Sequence, residues 1–176
     1  MKLIVVYGAP CSGKSTYVRS VITDKDLVYD YDELSRAITY GKHHLSKREL
    51  THQYVLDFRF AIIKRARSEK DIEKMYIIST FITDEFKEWV KDMKPIYHKM
   101  EATQEECLER LSKDDMRPDK EEWKSKIKEW YNKYQERELH HSIAYLSSPD
   151  PPILFRNILL SSFLIFILAI SSRLIP

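Results

Sequence analysis

The stretch Leu3-Ile4-Val5-Val6-Tyr7-Gly8-Ala9-Pro10-Cys11-Ser12-Gly13-Lys14-Ser15 decides the fold. Its first five residues are continuously apolar and rich in β-branched side chains, as in a strand buried on both faces of a parallel sheet. Residues 8–15 then match G-x-x-x-x-G-K-[ST] at every fixed position, between that strand and a helical stretch running to about Ile22. Glycine at 8 and 13 lets the backbone wrap closely around an anion. The amides from Cys11 to Lys14 point inward, and the helix N-terminus adds partial positive charge. Gly8, Ala9, Pro10, Cys11, Ser12, Gly13, Lys14, Ser15 and Thr16 are therefore expected to hold a nucleoside triphosphate. Lys14 bridges the β- and γ-phosphates, the Ser15 hydroxyl ligates Mg²⁺, and Thr16 reaches the α-phosphate.

Strands and helices alternate outward from this junction. Thr23-Asp24-Lys25-Asp26 reads as a turn, and Leu27 to Tyr31 as a second strand ending in acidic residues. Ser46 with Glu49 forms a capping box that opens a long helix, whose inner face is expected at Leu50, Tyr54, Phe58, Ala61 and Ile62. Met75 to Ser79 is the third strand, followed by a helix that Thr83-Asp84 caps and that runs to about Lys91. Pro95 to Met100 is the fourth, and Thr103 with Glu106 opens a helix to about Ser112. A charged loop from Lys113 to Pro118 leads into a helix from Asp119 to about Leu139, whose Trp123, Ile127, Trp130 and Tyr134 stripe has the period of core packing. Such alternation predicts an α/β domain with a doubly wound parallel sheet.

In such sheets ligands sit outside the carboxyl ends of the strands. The second strand delivers Asp30 and Asp32 to that edge, where a phosphotransferase needs a carboxylate to accept a hydroxyl proton or to order metal-bound water. The same residues could instead end a strand and cap a helix. Arg36, four positions after Asp32 on the following helix, shares its face and could hold an anionic acceptor. In the loop between the last two helices, Arg110 and Arg117 are candidates for a short helical lid that closes over the nucleotide and stabilises charge on the transferred phosphoryl. The competing reading of that loop is a solvated connection.

Composition bounds the rest. A chain of 176 residues supports one ordinary domain, and a formal net charge of +2 gives no global field for a polyanion, so any such site is a local patch. Two cysteines, Cys11 and Cys107, lack metal-ligand or disulfide spacing, which suits a reducing cytoplasm. Cys11, inside the loop, is a candidate reactive thiol. The apolar start is shorter than the roughly 7–15 residues of a secretory h-region and reads as a buried strand. Basic clusters at Lys42, His43, His44, Lys47 and Arg48 and at Lys64, Arg65, Arg67 and Lys70 read as solvated helix termini, or as guides for a nucleic-acid end. The composition breaks at Ser147-Ser148-Pro149-Asp150-Pro151-Pro152. This divides a kinase-like domain at 1–148 from a linker and hydrophobic tail at 149–176. Between Ile153 and Pro176 only Arg156 and Arg173 are charged. The tail is short for a bilayer span, which needs about 20 apolar residues, and reads as a weak anchor, a packed element or altered sequence. Membrane association is expected only through it. Oligomeric state is left open.

The Gly8 to Ser15 loop, the strand-end Asp32 followed by an arginine-bearing helix, and the Arg110 to Arg117 segment resemble the small P-loop kinases. Within these the likeness is to the kinase domain of phage-type polynucleotide 5′-hydroxyl kinases and phage nucleotide-kinase-like proteins, over about residues 1–140. The resemblance implies a P-loop NTPase fold of the nucleotide-kinase kind, ATP as phosphoryl donor with Mg²⁺, and Asp32 as general base. It also implies that Arg117 or Arg110 acts on the transferred group. Ser79 and Phe81 stand where those kinases tend to carry the acid and amide of an Asp-Thr-Asn sequence, and Arg36 lies one position later than their arginine. The acceptor, a nucleotide or a nucleic-acid 5′ end, is accordingly open. A nucleoside monophosphate kinase, and a nucleotide-dependent ATPase or switch, are the alternatives.

Overall fold

Strand β1 (Lys2–Tyr7) lies inside a four-stranded, all-parallel sheet of order β2-β3-β1-β4, with β2 at Asp26–Asp30, β3 at Lys74–Ser79 and β4 at Ile96–Lys99. The computed structural model describes residues 1–40, 48–117 and 119–146, with side chains from 51 to 117 and from 119 to 134 in the later segments. The chain divides into two compact units, Met1–Tyr131 and Asn132–Pro176, and the sheet belongs to the first.

The period-2 alternation of the strands feeds both faces of the sheet. Leu3 and Val5 of β1 and Met75 and Ile77 of β3, paired Leu3 to Met75 and Val5 to Ile77, point to one side. There they meet Val55, Ile63 and Ala66 of α3 (Arg48–Ala66) and Phe86 and Val90 of α4 (Asp84–Val90). Val6, Tyr76 and Ile78 point to the other and pack with Val18 of α1 (Lys14–Val21). Burial on both faces explains why β1 and β3 read as unbroken apolar runs. Full burial of each such side chain stabilises the fold by roughly 1.5–3 kcal/mol. The strand that carries the glycine loop is thereby fixed on both sides.

Several boundaries follow the expected chemistry. The Thr83 hydroxyl accepts from the Phe86 amide at the start of α4, which ends at Val90 and tightens into a 3₁₀ turn at Lys91–Met93. Thr103 and Glu106 form the reciprocal capping box of α5 (Gln104–Ser112). The last helix, α6, runs over Lys120–Leu146, further than the expected Leu139, with Trp123, Ile127 and Trp130 buried.

Two expectations need correction. The second strand stops at Asp30, and Tyr31 is already the first residue of α2 (Tyr31–Ala37). The Asp30 carboxylate accepts from the amides of Asp32 and Glu33, and this cap overrides the β-propensity of Tyr31. On α3 the buried face is rotated by one residue from the expected stripe. Tyr54, Phe58 and Ala61 are exposed, while Thr51, Val55, Ile63 and Ala66 are buried. Both stripes have a helical period, and the aromatic one lost to the smaller, β-branched one that fits against the sheet.

The readings at Lys42, His43, His44, Ser46 and Lys47, at Pro118, and along the linker and tail from Ser147 lie outside the described residues. So do those on the side chains of Arg48, Glu49 and Leu50. Among the described residues no helix is long and apolar enough to cross a membrane.

Candidate functional site

Strand order places a crevice beside the glycine loop. β1 leads past β3 to β2, whereas its neighbour β3 leads past β1 to β4, so adjacent strands connect in opposite directions. Ligands of open parallel sheets bind outside the carboxyl ends of strands at such a point. A cleft of about 840 Å³ lies there, within the roughly 300–1,000 Å³ typical of ligand sites. Its walls are the loop at Pro10 to Thr16, the β2–α2 junction, the segment Ser79 to Phe81 after β3, the inner face of α3, and Arg110 to Arg117.

The loop's backbone turns tightly, with positive φ at Gly8, Cys11 and Gly13. Gly8 has φ +154°, and a Cβ there would stand 3.0 Å from the Ser12 Oγ and 3.1 Å from the Met100 Cβ. Gly13, at φ +93°, is the N-cap of α1 and has no side chain to satisfy the first-turn amides, which leaves them available to a ligand. Cys11 adopts a left-handed φ of 61° without being glycine, and such conformations concentrate at functional turns. The Ser12 hydroxyl is buried with no hydrogen-bond partner among the described protein atoms.

Lys14 folds back over the loop, donating to the carbonyls of Gly8 at 2.9 Å and Ala9 at 2.7 Å. Burial pushes its ammonium down to about 8, and the Asp32 carboxylate is the strongest influence holding it up. The sign of the resulting pH dependence is fixed. A triphosphate attracts the protonated form, and the free protein loses that proton as pH rises through about 8. If the loop holds ATP with Mg²⁺, its affinity should be level below about pH 7 and fall up to about tenfold per pH unit above 8. Calorimetric titrations across that range provide the check, and a profile unchanged to pH 9.5 would contradict the role given to this ammonium.

The two aspartates separate in position. The Asp30 Oδ2 accepts from the Ser15 hydroxyl at 2.7 Å, while its Oδ1 caps α2. Asp32, a residue of α2, turns to the cleft and faces the Arg117 guanidinium, with Nη2 and Oδ2 3.8 Å apart. Arg117 is held from its other side by Asp114 and lies 4.7 Å above the Trp123 ring. Arg110 donates to the backbone carbonyls of Ser12 at 3.0 Å and Cys11 at 3.4 Å, bracing the loop from α5. Arg36 also lines the cleft, but Glu33 neutralises it and at the same time pairs with Arg19 at 2.7 Å. Thr16 stands exposed at the rim. Cys11 is a free thiol whose pKa is raised, chiefly by burial and against the pull of Arg117, so it is protonated rather than activated.

Ser15 and Asp30 offer a hydroxyl and a carboxylate oxygen side by side, the hard donors that Mg²⁺ prefers. Among the described residues no cluster of three or more His, Cys, Asp or Glu forms a cation cage. Asp114 and Arg59 are cleft residues that no motif announces. Asp114 could have been suspected only from its three-residue spacing to Arg117, and Arg59 only from a cation sitting in the inner stripe of α3. Comparison with protein-family models finds no match, and comparison with curated proteins finds none either.

Proposed function

We propose that this chain is an ATP-dependent phosphotransferase of the P-loop, nucleotide-kinase kind, moving the γ-phosphoryl group of ATP to a nucleotide or to a nucleic-acid 5′-hydroxyl. One observation carries the reading. A glycine-capped helix start, a partly buried lysine folded over its loop and a hydroxyl–carboxylate pair from Ser15 and Asp30 meet in one cleft at the carboxyl edge of a parallel sheet.

Each residue has a part. The amides from Cys11 to Lys14 and the Lys14 ammonium bind the donor's phosphates, and Ser15, oriented by Asp30, with Asp30 itself would hold Mg²⁺. Bound there, the metal would neutralise charge on the phosphate oxygens. Asp32 takes the proton of the acceptor hydroxyl. Arg117 stands beside it, able to exchange its carboxylate partners for the charge that develops on the transferred group. Arg110 fixes the loop from behind.

The test is ATP labelled in the γ-phosphate, offered separately to 5′-hydroxyl oligonucleotides, nucleosides and nucleoside monophosphates. Label is expected on an acceptor. Label released only as inorganic phosphate, whichever acceptor is present, would instead identify a nucleotide-dependent ATPase or switch.

A further inference from the structure

Most cations lining the cleft are already satisfied. Lys14 and Arg110 donate to loop carbonyls, Arg19 and Arg36 share Glu33, and Arg117 has Asp114 and Asp32. Arg59 differs. It occupies the inner stripe of α3, between the buried Val55 and Ile63, and reaches the cleft from the wall that α3 forms, which the phosphate loop does not share. Its guanidinium lies 4.7 Å over the Phe86 ring and 5.1 Å over that of Phe60, its Nε, like that of Arg117, is buried without a hydrogen-bond partner, and, unlike Arg117, it has no carboxylate paired with it among the described residues.

Among the described residues, the groups around Arg59 leave its charge uncompensated. Tyr29, the ionisable group that acts on it, donates its hydroxyl to the Val55 carbonyl at 2.9 Å, and burial pushes that phenol up to about 12, so it stays neutral. Burial also lowers the pKa of Arg59 itself, but a guanidinium remains charged near neutral pH. A half-buried planar cation with unused donors, directed into a ligand cleft, is a recognition element for a phosphate, which its fork matches in two hydrogen bonds.

The geometry points to Arg59 as the residue that receives a phosphate already present on the acceptor, so that the acceptor is a phosphate-bearing nucleotide or oligonucleotide and not a neutral nucleoside. The assignment rests on the phosphotransferase reading above and adds the acceptor's class to it. Lys14 and Ser15 hold the donor's phosphates on the β1 side, while Arg59 holds the acceptor's own phosphate on the α3 side. Thr51, His52 and Tyr31 line the same wall, where the Tyr31 hydroxyl and the His52 Nδ1 are 3.0 Å apart, a polar surface suited to a sugar.

Calorimetry without ATP tests this on the wild-type chain and on Arg59→Met and Arg59→Lys. Each is titrated with a nucleoside, its 5′-monophosphate, and a 5′-hydroxyl dinucleotide whose single phosphate is a diester. Arg59→Met should weaken the phosphate-bearing ligands about 10- to 100-fold, leave the nucleoside unchanged, and recover partly in Arg59→Lys. The ligand that loses more identifies the phosphate as monoester or diester. Equal losses for nucleoside and nucleotides, or no loss for either nucleotide, would overturn the assignment. Methionine keeps the packing over Phe86 and removes an unpaired charge, and a melting temperature measured alongside shows whether either variant remains folded. MgATP titrated into the same proteins separates the two readings. Wild-type protein that binds monophosphates through Arg59 but takes up no MgATP defeats the phosphotransferase reading alone, whereas normal MgATP binding with phosphate-blind acceptor binding defeats Arg59 alone.

Discussion

Replacing Lys14 by alanine is expected to lower kcat/KM for phosphoryl transfer by on the order of 10³-fold, in the range found when a preorganised donor to a developing charge is removed. The side chain has no second task of comparable weight. Its hydrogen bonds run to the Gly8 and Ala9 carbonyls within its own loop, each worth about 1 kcal/mol net. Deleting it also removes a partly buried ammonium whose desolvation pushes its pKa down to about 8. The two terms oppose each other, so the melting temperature should move by no more than about 4 °C. ATP affinity and turnover should fall together, because the ammonium contacts the donor before and during transfer. Steady-state kinetics with labelled ATP, set beside a thermal melt, read both quantities. A Lys14→Ala protein that is folded and turns over at the wild-type rate removes the phosphate site from this loop.

How far the sequence discloses the fold and site depends on how local the determinants are. The β1 strand, the glycine loop and α1 were legible together because strand burial, positive-φ glycines and helix capping are dictated within a few residues. The capping box at Thr103 and Glu106 was legible for the same reason. The inner face of α3 was not. Two apolar stripes of equal period run along it, and only the shape of the sheet decides that Val55 and Ile63 go inward while Tyr54 and Phe58 face solvent. That choice also hid Arg59, since a cation in an inner stripe becomes meaningful only once its neighbours are known to be aromatic rings and not carboxylates. At the β2–α2 junction the sequence supplied the acidic residues but not their division of labour. The turn is set by the Asp30 cap, and the Ser15 hydroxyl that takes its other oxygen comes from an element 15 residues away.

That division makes Asp32→Asn the more informative of the carboxylate substitutions. Asparagine keeps the size of the side chain and its place on α2 but cannot accept a proton, so transfer should fall by about 10²- to 10⁴-fold. Binding of MgATP at neutral pH should change little, since the Ser15 hydroxyl donates to Asp30. Two side effects follow from the neighbours. The Asp32 carboxylate is the main influence keeping the Lys14 ammonium protonated against burial, so in the variant the pH above which ATP affinity declines should move down from about 8. Arg117, relieved of one of its two carboxylates, should remain held by Asp114 and stay over Trp123, so the loss is of a base and not of the arginine's position. Asp30→Asn should behave differently. It disturbs the Ser15 hydroxyl and the α2 cap, and so should raise the Mg²⁺ concentration needed for half-maximal ATP binding and lower the melting temperature. Single-turnover transfer rates and Mg²⁺ titrations on the two variants separate the roles. Wild-type transfer by Asp32→Asn, with the main loss appearing in Asp30→Asn at saturating Mg²⁺, would move the base to Asp30 and leave Asp32 as the anchor that holds Arg117 in the cleft.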